Sequence, residues 1–176
     1  TNVNNNVIYS GGNGTALFEH APYPNNIGNA KYYNNTFYVK GASGYISQAL
    51  ILAHKNVDLK NNIFVSNGVG AIQFNTTTTT SVSSDHNLFK SADDRYTIVI
   101  DGYGRSLSYW QGLNGQDLNS LVANPLFVNV ENKDVSILET SPAIDEGITL
   151  GNQYSISLNG INRPQGAAWD IGAYEY

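Results

Sequence analysis

Apolar and polar positions alternate along the chain in short runs, the pattern of half-buried β-strands. Such runs include ALFEH at 16–20, KYYNNTFYV at 31–39, VDLKNNIFV at 57–65 and AIQF at 71–74. Clusters of Gly, Asn and Ser separate the runs, and their β-branched and aromatic side chains favour strands over helices. The pattern therefore predicts an all-β chain of many short strands, with no helix to hold its aromatic residues.

One short phrase recurs four times within this pattern. It reads NNNVIY at 4–9, YNNTFY at 33–38, KNNIFV at 60–65 and DHNLFK at 85–90, and the spacing between copies falls from 29 to 27 to 25 residues. A fixed phrase with variable filler and a period in the twenties is typical of a solenoid. Three short strands per period, stacked about 4.8 Å apart, predict a parallel β-helix.

The repeated asparagines have a structural explanation. Asn tolerates the left-handed conformation at a bend, and its amide can bond the equivalent Asn of the next repeat. We expect a ladder of such bonds, with no catalytic role, through Asn6, Asn35, Asn62 and Asn87. The apolar residue that follows each of them is expected to stack inside the fold; these residues are Ile8, Phe37, Phe64 and Phe89.

Composition limits the class of partner. The 176 residues carry 9 basic and 14 acidic side chains, a formal net charge of −5, whereas nucleic-acid-binding surfaces are normally basic. The chain has no cysteine, which excludes disulfides and thiolate metal sites. The sequence contains no run of about 18 apolar residues, so it does not predict a membrane-spanning helix. Because the chain lacks methionine and begins at Thr1, we interpret it as a processed chain or a module from a longer protein.

The C-terminal part carries different phrases: YWQGLNGQDLNSLVANPLFVN from 109, SPAIDEG at 141–147, NGINRP at 159–164 and DIGAYEY at 170–176. In this order they resemble the C-terminal end of the right-handed parallel β-helix proteins of bacterial polysaccharide metabolism, the pectate-lyase-like superfamily. The resemblance implies a single all-β domain, a right-handed parallel β-helix of about four to six short coils, with residues 1–108 forming β-helix coils. The last coil or coils and an irregular closing segment would occupy residues 109–176. It also implies a secreted, extracellular bacterial protein.

A solenoid has to cover the apolar ends of its last coil, and the closing segment would do so. Burial there is the better explanation of Trp110. Arg163 is available to pair with an acidic residue of the same segment, namely Asp145, Asp170 or Glu175.

Candidates for catalysis are few. A polysaccharide lyase of this fold needs a base beside a cation or metal, and a hydrolase needs two carboxylates facing each other across a sugar. The sequence Asp93-Asp94-Arg95 is most simply a solvated turn, and Glu19 and Asp101 would lie three strand steps, about 14 Å, apart. We therefore assign no catalytic residue, metal site or required cofactor. A structural calcium ion at Asp93, Asp94 or Asp101 stays open.

Tyrosines in turn-like segments predict a surface for sugars, because a tyrosine ring offers an apolar face and a polar tip to a pyranose. Outward polar residues on one aligned set of strands would add hydrogen bonds at the strand spacing, and Val99 is expected among these outward positions. The predicted binding residues are Tyr23, Tyr45, His54, Gln73, Asn75, Tyr96, Asp101 and Tyr103.

Three functions fit these observations. The resemblance implies a non-catalytic carbohydrate-binding module for a plant cell-wall polysaccharide, with xylan or another neutral hemicellulose as ligand. Such a module would be covalently linked to a catalytic domain such as a xylanase. The alternatives are the C-terminal part of a polysaccharide lyase or glycoside hydrolase, and a structural or adhesive cell-surface β-helix. The low content of charged residues, 13%, and the lack of a recognisable catalytic cluster favour the binding module.

Overall fold

The computed structural model describes residues 2–12, 14–19, 29–41, 48–52, 56–74 and 81–176. Short strands predominate in this part of the chain. They are β1 (Asn2–Asn4), β2 (Val7–Ser10), β3 (Leu17–Glu19), β4 (Asn29–Tyr33), β5 (Thr36–Val39), β6 (Leu50–Leu52), β7 (Asn56–Lys60), β8 (Ile63–Ser66), β9 (Ile72–Phe74), β10 (Val82–Asp85), β11 (Leu88–Lys90), β12 (Ile98–Ile100), β13 (Tyr103–Arg105), β14 (Leu121–Val122), β15 (Phe127–Asn129) and β16 (Asp134–Ile137). The helices are α1 (Leu107–Asn114) and two 3₁₀ turns, Val130–Asn132 and Asn152–Tyr154.

From β1 to β12, each strand pairs in parallel with the strand three places further along the chain. The first sheet has the order β1-β4-β7-β10, and the second has β2-β5-β8-β11 followed by β14. The third has β3-β6-β9-β12, and β13 then pairs antiparallel with β12. The chain thus passes through the same three sheets in the same order four times. The predicted all-β class and parallel sheets are confirmed at this level.

The two adjacent polar residues at the centre of each phrase have different structural roles. The first adopts the left-handed conformation between a first-sheet and a second-sheet strand; these residues are Asn5, Asn34, Asn61 and, in the last copy, His86, with φ between 52° and 56°. The second forms the predicted ladder, in which Asn35 Nδ2 donates to Asn62 Oδ1 and Asn62 Nδ2 donates to Asn87 Oδ1, each at 3.0 Å. The ladder ends where Asn87 Nδ2 donates to Asp117 Oδ1, also at 3.0 Å.

Aromatic rings stack inside the sheets as predicted. Phe37 lies on Phe64 at 5.1 Å between ring centroids, and Phe64 lies on Phe89 at 5.6 Å. Trp110 is fully buried and stacks on Phe74 at 4.7 Å. The prediction that Trp110 serves the core is therefore confirmed.

The helix α1 contradicts the expectation that the chain has no helix. Its start is capped by Ser106, whose side chain accepts from the Tyr109 N–H, and its end by Gly115 at φ 68°. Trp110 reaches the core from this helix, and its Nε1 donates to Asp117 Oδ2 at 2.8 Å. An eight-residue helix that packs one tryptophan over the last repeat leaves little periodic signal in sequence.

The C-terminal segment was expected to cover the apolar end of the last coil, but its last part packs along the outside of the sheets, where Ala143 and Ile171 contact outward residues of the second sheet. Asn61 binds the backbone of Ile148 in both directions, donating to its carbonyl at 2.8 Å and accepting from its N–H at 2.9 Å. Arg163 and Glu175 form a buried ion pair at 2.7 Å, which confirms one of the three predicted partners. Within the described ranges, no helix has the length and apolarity required to cross a membrane.

Candidate functional site

The structure describes four of the eight predicted binding residues, and three of them lie around one β-hairpin. Tyr96 precedes β12, Asp101 lies in the turn after it, and Tyr103 begins β13. Gln73 lies on the neighbouring strand β9. The other four predicted residues fall outside the described residues; they are Tyr23, Tyr45, His54 and Asn75.

The hairpin is set by its turn. Asp101 and Gly102 both have positive φ, 48° and 82°, which is the backbone of a tight turn that matches the strand twist. Ile100 and Tyr103 face each other across it as paired residues. Tyr103, which the sequence placed in a turn-like segment, is therefore a strand residue, because the chain reverses within the two residues before it.

The hairpin separates the predicted tyrosines onto two faces. Gly104 faces Tyr96, since a Cβ atom at Gly104 would lie 3.0 Å from Tyr96 Cβ. Consecutive strand residues point to opposite faces, so Tyr103 and Arg105 point away from Tyr96. The two described tyrosines of the predicted surface therefore lie on opposite faces, not on one.

The face that carries Tyr96 also includes Gln73. Gln73 is in register with Val99, and Val99 with Gly104, across adjacent strands. Val99 is only 1% exposed, because Gly70 lies against its side chain, so it is not the open outward position that the sequence predicted.

The other face presents an exposed cluster of two tyrosines with an arginine between them. The Arg105 guanidinium carbon lies 5.6 Å from the Tyr103 ring centroid and 5.1 Å from that of Tyr109. Tyr103 is 66% exposed and Tyr109 50% exposed. We name Tyr103, Arg105 and Tyr109 the tyrosine–arginine patch. Two open aromatic faces and a planar cation with several donors form a surface suited to stacking and hydrogen bonding.

Each acidic side chain of the turn before Tyr96 has a basic partner. Asp93 pairs with Arg95 at 2.6 Å, and Asp94 pairs with Lys90 at 2.7 Å. The Arg95 guanidinium lowers the pKa of Asp93 to about 2. Nowhere in the described ranges do three His, Asp or Glu side chains come together in a group that could hold a metal ion.

Comparison with known proteins adds no relative. No protein-family model matches the chain, and neither the curated proteins nor the solved structures gave a match.

Two residues of the tyrosine–arginine patch were missed from the sequence. Arg105 and Tyr109 are two and six positions after Tyr103, in the stretch YGRSLSY. A serine followed by an apolar residue, with a glycine nine positions later, is a helix start and stop signal. Such a helix over 107–114 would have placed Tyr109 in a first turn directly after β13.

Proposed function

We propose that this chain is a non-catalytic carbohydrate-binding module that recognises a plant cell-wall polysaccharide, xylan or another neutral hemicellulose. The tyrosine–arginine patch carries the proposal. Its two exposed rings are available to stack on sugar faces, and Arg105 between them supplies donors for ring and hydroxyl oxygens. Exposed aromatic residues beside a few fixed polar groups are the usual composition of a recognition hot spot.

The fold we propose for this module is a right-handed parallel β-helix of four to six short coils with a closing C-terminal segment. Two observations support this fold. The chain passes repeatedly through the same three parallel sheets, and equivalent asparagines and aromatic residues stack on one another in successive repeats. We further propose that the module is secreted by a bacterium and is linked to a catalytic domain that degrades the polysaccharide it binds.

Single substitutions in the patch test the proposed function. Tyr103→Ala and Tyr109→Ala remove one stacking surface each and leave the core untouched. Each is therefore expected to raise the dissociation constant for xylan, measured by native affinity gels, by about tenfold. Tyr176→Ala is the matched control, because Tyr176 is another exposed tyrosine, at 56%, and lies outside the patch. Equal retardation of all four proteins would remove the patch from the binding site.

A further inference from the structure

The outer face of the first sheet carries polar side chains in rows that run from strand to strand. In one row Asn2 pairs with Lys31, Lys31 with Asp58, and Asp58 with Ser83. The strands β1, β4, β7 and β10 contribute one residue each, so equivalent side chains recur about every 4.8 Å. The alternate residues of β4 and β7 point inward and are buried.

The part of these rows on β4, β7 and β10 lines a groove of about 210 Å³, which we name the first-sheet groove. Its polar lining consists of Asn29, Lys31, Asn56, Asp58, Ser81 and Ser83. Asn29 also pairs with Asn56 across β4 and β7, and these two amides are ordered, since Asn56 Nδ2 donates to Asn29 Oδ1 at 3.0 Å.

An aromatic cluster borders the same sheet at the C-terminal end of β4. Tyr33 packs edge-on against Tyr154 at 5.1 Å between centroids, and Trp169 belongs to the same buried cluster. The segment that carries Tyr154 and Trp169 thus stands beside the first sheet. Its position gives the face a fixed border on that side.

Asp58 contributes to the groove a buried carboxylate oxygen that has no hydrogen-bond partner in the described structure. Its Oδ2 accepts a short hydrogen bond from the Tyr33 hydroxyl, which fixes the carboxylate. Its Oδ1 is buried and has no hydrogen-bond partner within the described residues. A buried acceptor without a donor is costly, so a sugar hydroxyl that reaches this oxygen when the groove side chains adjust on binding would be stabilised there.

The charge of the lining selects the ligand class. Lys31 and Asp58 offset each other, and the other polar groups are amides and hydroxyls. A polyanion would meet the Asp58 carboxylate, whereas a sugar hydroxyl can donate to Asp58 and accept from Lys31. The polar groups repeat from strand to strand. Successive sugar units of a polysaccharide therefore meet equivalent groups only if the polysaccharide runs across the strands.

We propose that the first-sheet groove is a second carbohydrate-binding site, which takes an extended neutral polysaccharide chain running across β4, β7 and β10. This inference rests on the proposed function. It adds a site on a different sheet from the tyrosine–arginine patch, so the two sites are separable by substitution.

The test measures binding of xylohexaose and xylan to groove variants by calorimetry and native affinity gels. Lys31→Ala removes an exposed cation, and Asp58→Asn retains one oxygen for Tyr33 while it replaces the free acceptor with a donor. Each is expected to weaken xylohexaose binding by about tenfold, which corresponds to about 1.4 kcal/mol. Glu146→Gln is the control, because it makes the same carboxylate-to-amide change at an exposed position outside the groove.

The two variants keep the test decisive. If Asp58→Asn fails to fold, Lys31→Ala still reports on the groove, because Lys31 is exposed. Wild-type affinity in both groove variants, with loss of binding in Tyr103→Ala and Tyr109→Ala, would overturn the second site and leave the proposed function standing. If the wild-type protein binds neither probe nor any other neutral polysaccharide, the proposed function fails and the second site with it.

Discussion

Replacing Asn62 with alanine removes a central rung of the asparagine ladder. The Asn62 side chain is fully buried and donates to Asn87 Oδ1 at 3.0 Å and to the Tyr32 carbonyl at 2.8 Å. Its Oδ1 accepts from the Asn35 backbone N–H at 3.1 Å and from Asn35 Nδ2 at 3.0 Å. Alanine makes none of these bonds, and no bulk solvent reaches the site to replace them.

The expected loss of stability follows from the partners left behind. A buried polar group without a partner costs about 1 to 3 kcal/mol, and the Asn35 N–H and the Tyr32 carbonyl both lose a bond, so we expect about 4 kcal/mol for Asn62→Ala. A domain of this kind has about 5 to 15 kcal/mol of unfolding free energy, so the variant should unfold at a clearly lower urea concentration.

Equilibrium urea unfolding, followed by tyrosine and tryptophan fluorescence, measures this loss. Asn6→Ala is the matched control, because Asn6 stands at the exposed end of the same ladder and water can replace its bonds. We expect less than about 1 kcal/mol for the control. A loss in Asn62→Ala no larger than that in Asn6→Ala would refute the assignment of the ladder as a main source of stability.

Three further changes test other parts of the structure. Gly172→Ala should cost about 2 kcal/mol or more in urea unfolding, because φ is 109° there and a Cβ would lie 2.7 Å from Ile63 Cδ1. Arg95→Ala should return the pKa of Asp93 from about 2 towards its ordinary value, measured by NMR titration of the carboxyl carbon. Burial and the hydrogen bond to a carboxylate raise the pKa of Tyr33, so its contribution to stability is complete below about pH 10, the pKa of an unfolded tyrosine, and falls as the pH rises further. Tyr33→Phe should remove that alkaline loss, and an unchanged pH profile in the variant would contradict it.

The repeated phrase made much of the fold predictable. Its fixed spacing led to the asparagine ladder, and its apolar position led to the stack of Phe37, Phe64 and Phe89. The sequence did not separate the two asparagines, because a bend residue and a ladder residue share the same side chain. Their different roles depend on φ: Asn61 is at 56°, and its neighbour Asn62 carries the ladder.

The candidate site was less predictable, because it depends on where the repeat ends. The tight turn at Asp101 and Gly102 reverses β13, which puts Tyr103 and Tyr96 on opposite faces. Tyr109 joins Tyr103 only through α1, whose eight residues carry too weak a periodic signal to be weighed against the surrounding strands. The first-sheet groove depends on register across three strands, which no single stretch of sequence contains.

Native affinity electrophoresis of the wild-type protein against xylan, β-glucan, mannan, pectin and alginate tests the central claim most directly, with each mixture also assayed for new reducing ends and ultraviolet-absorbing products. We predict retardation on xylan or another neutral polymer, with no product from any of the five. Products from any polymer, or free migration in all five gels, would contradict a non-catalytic carbohydrate-binding module.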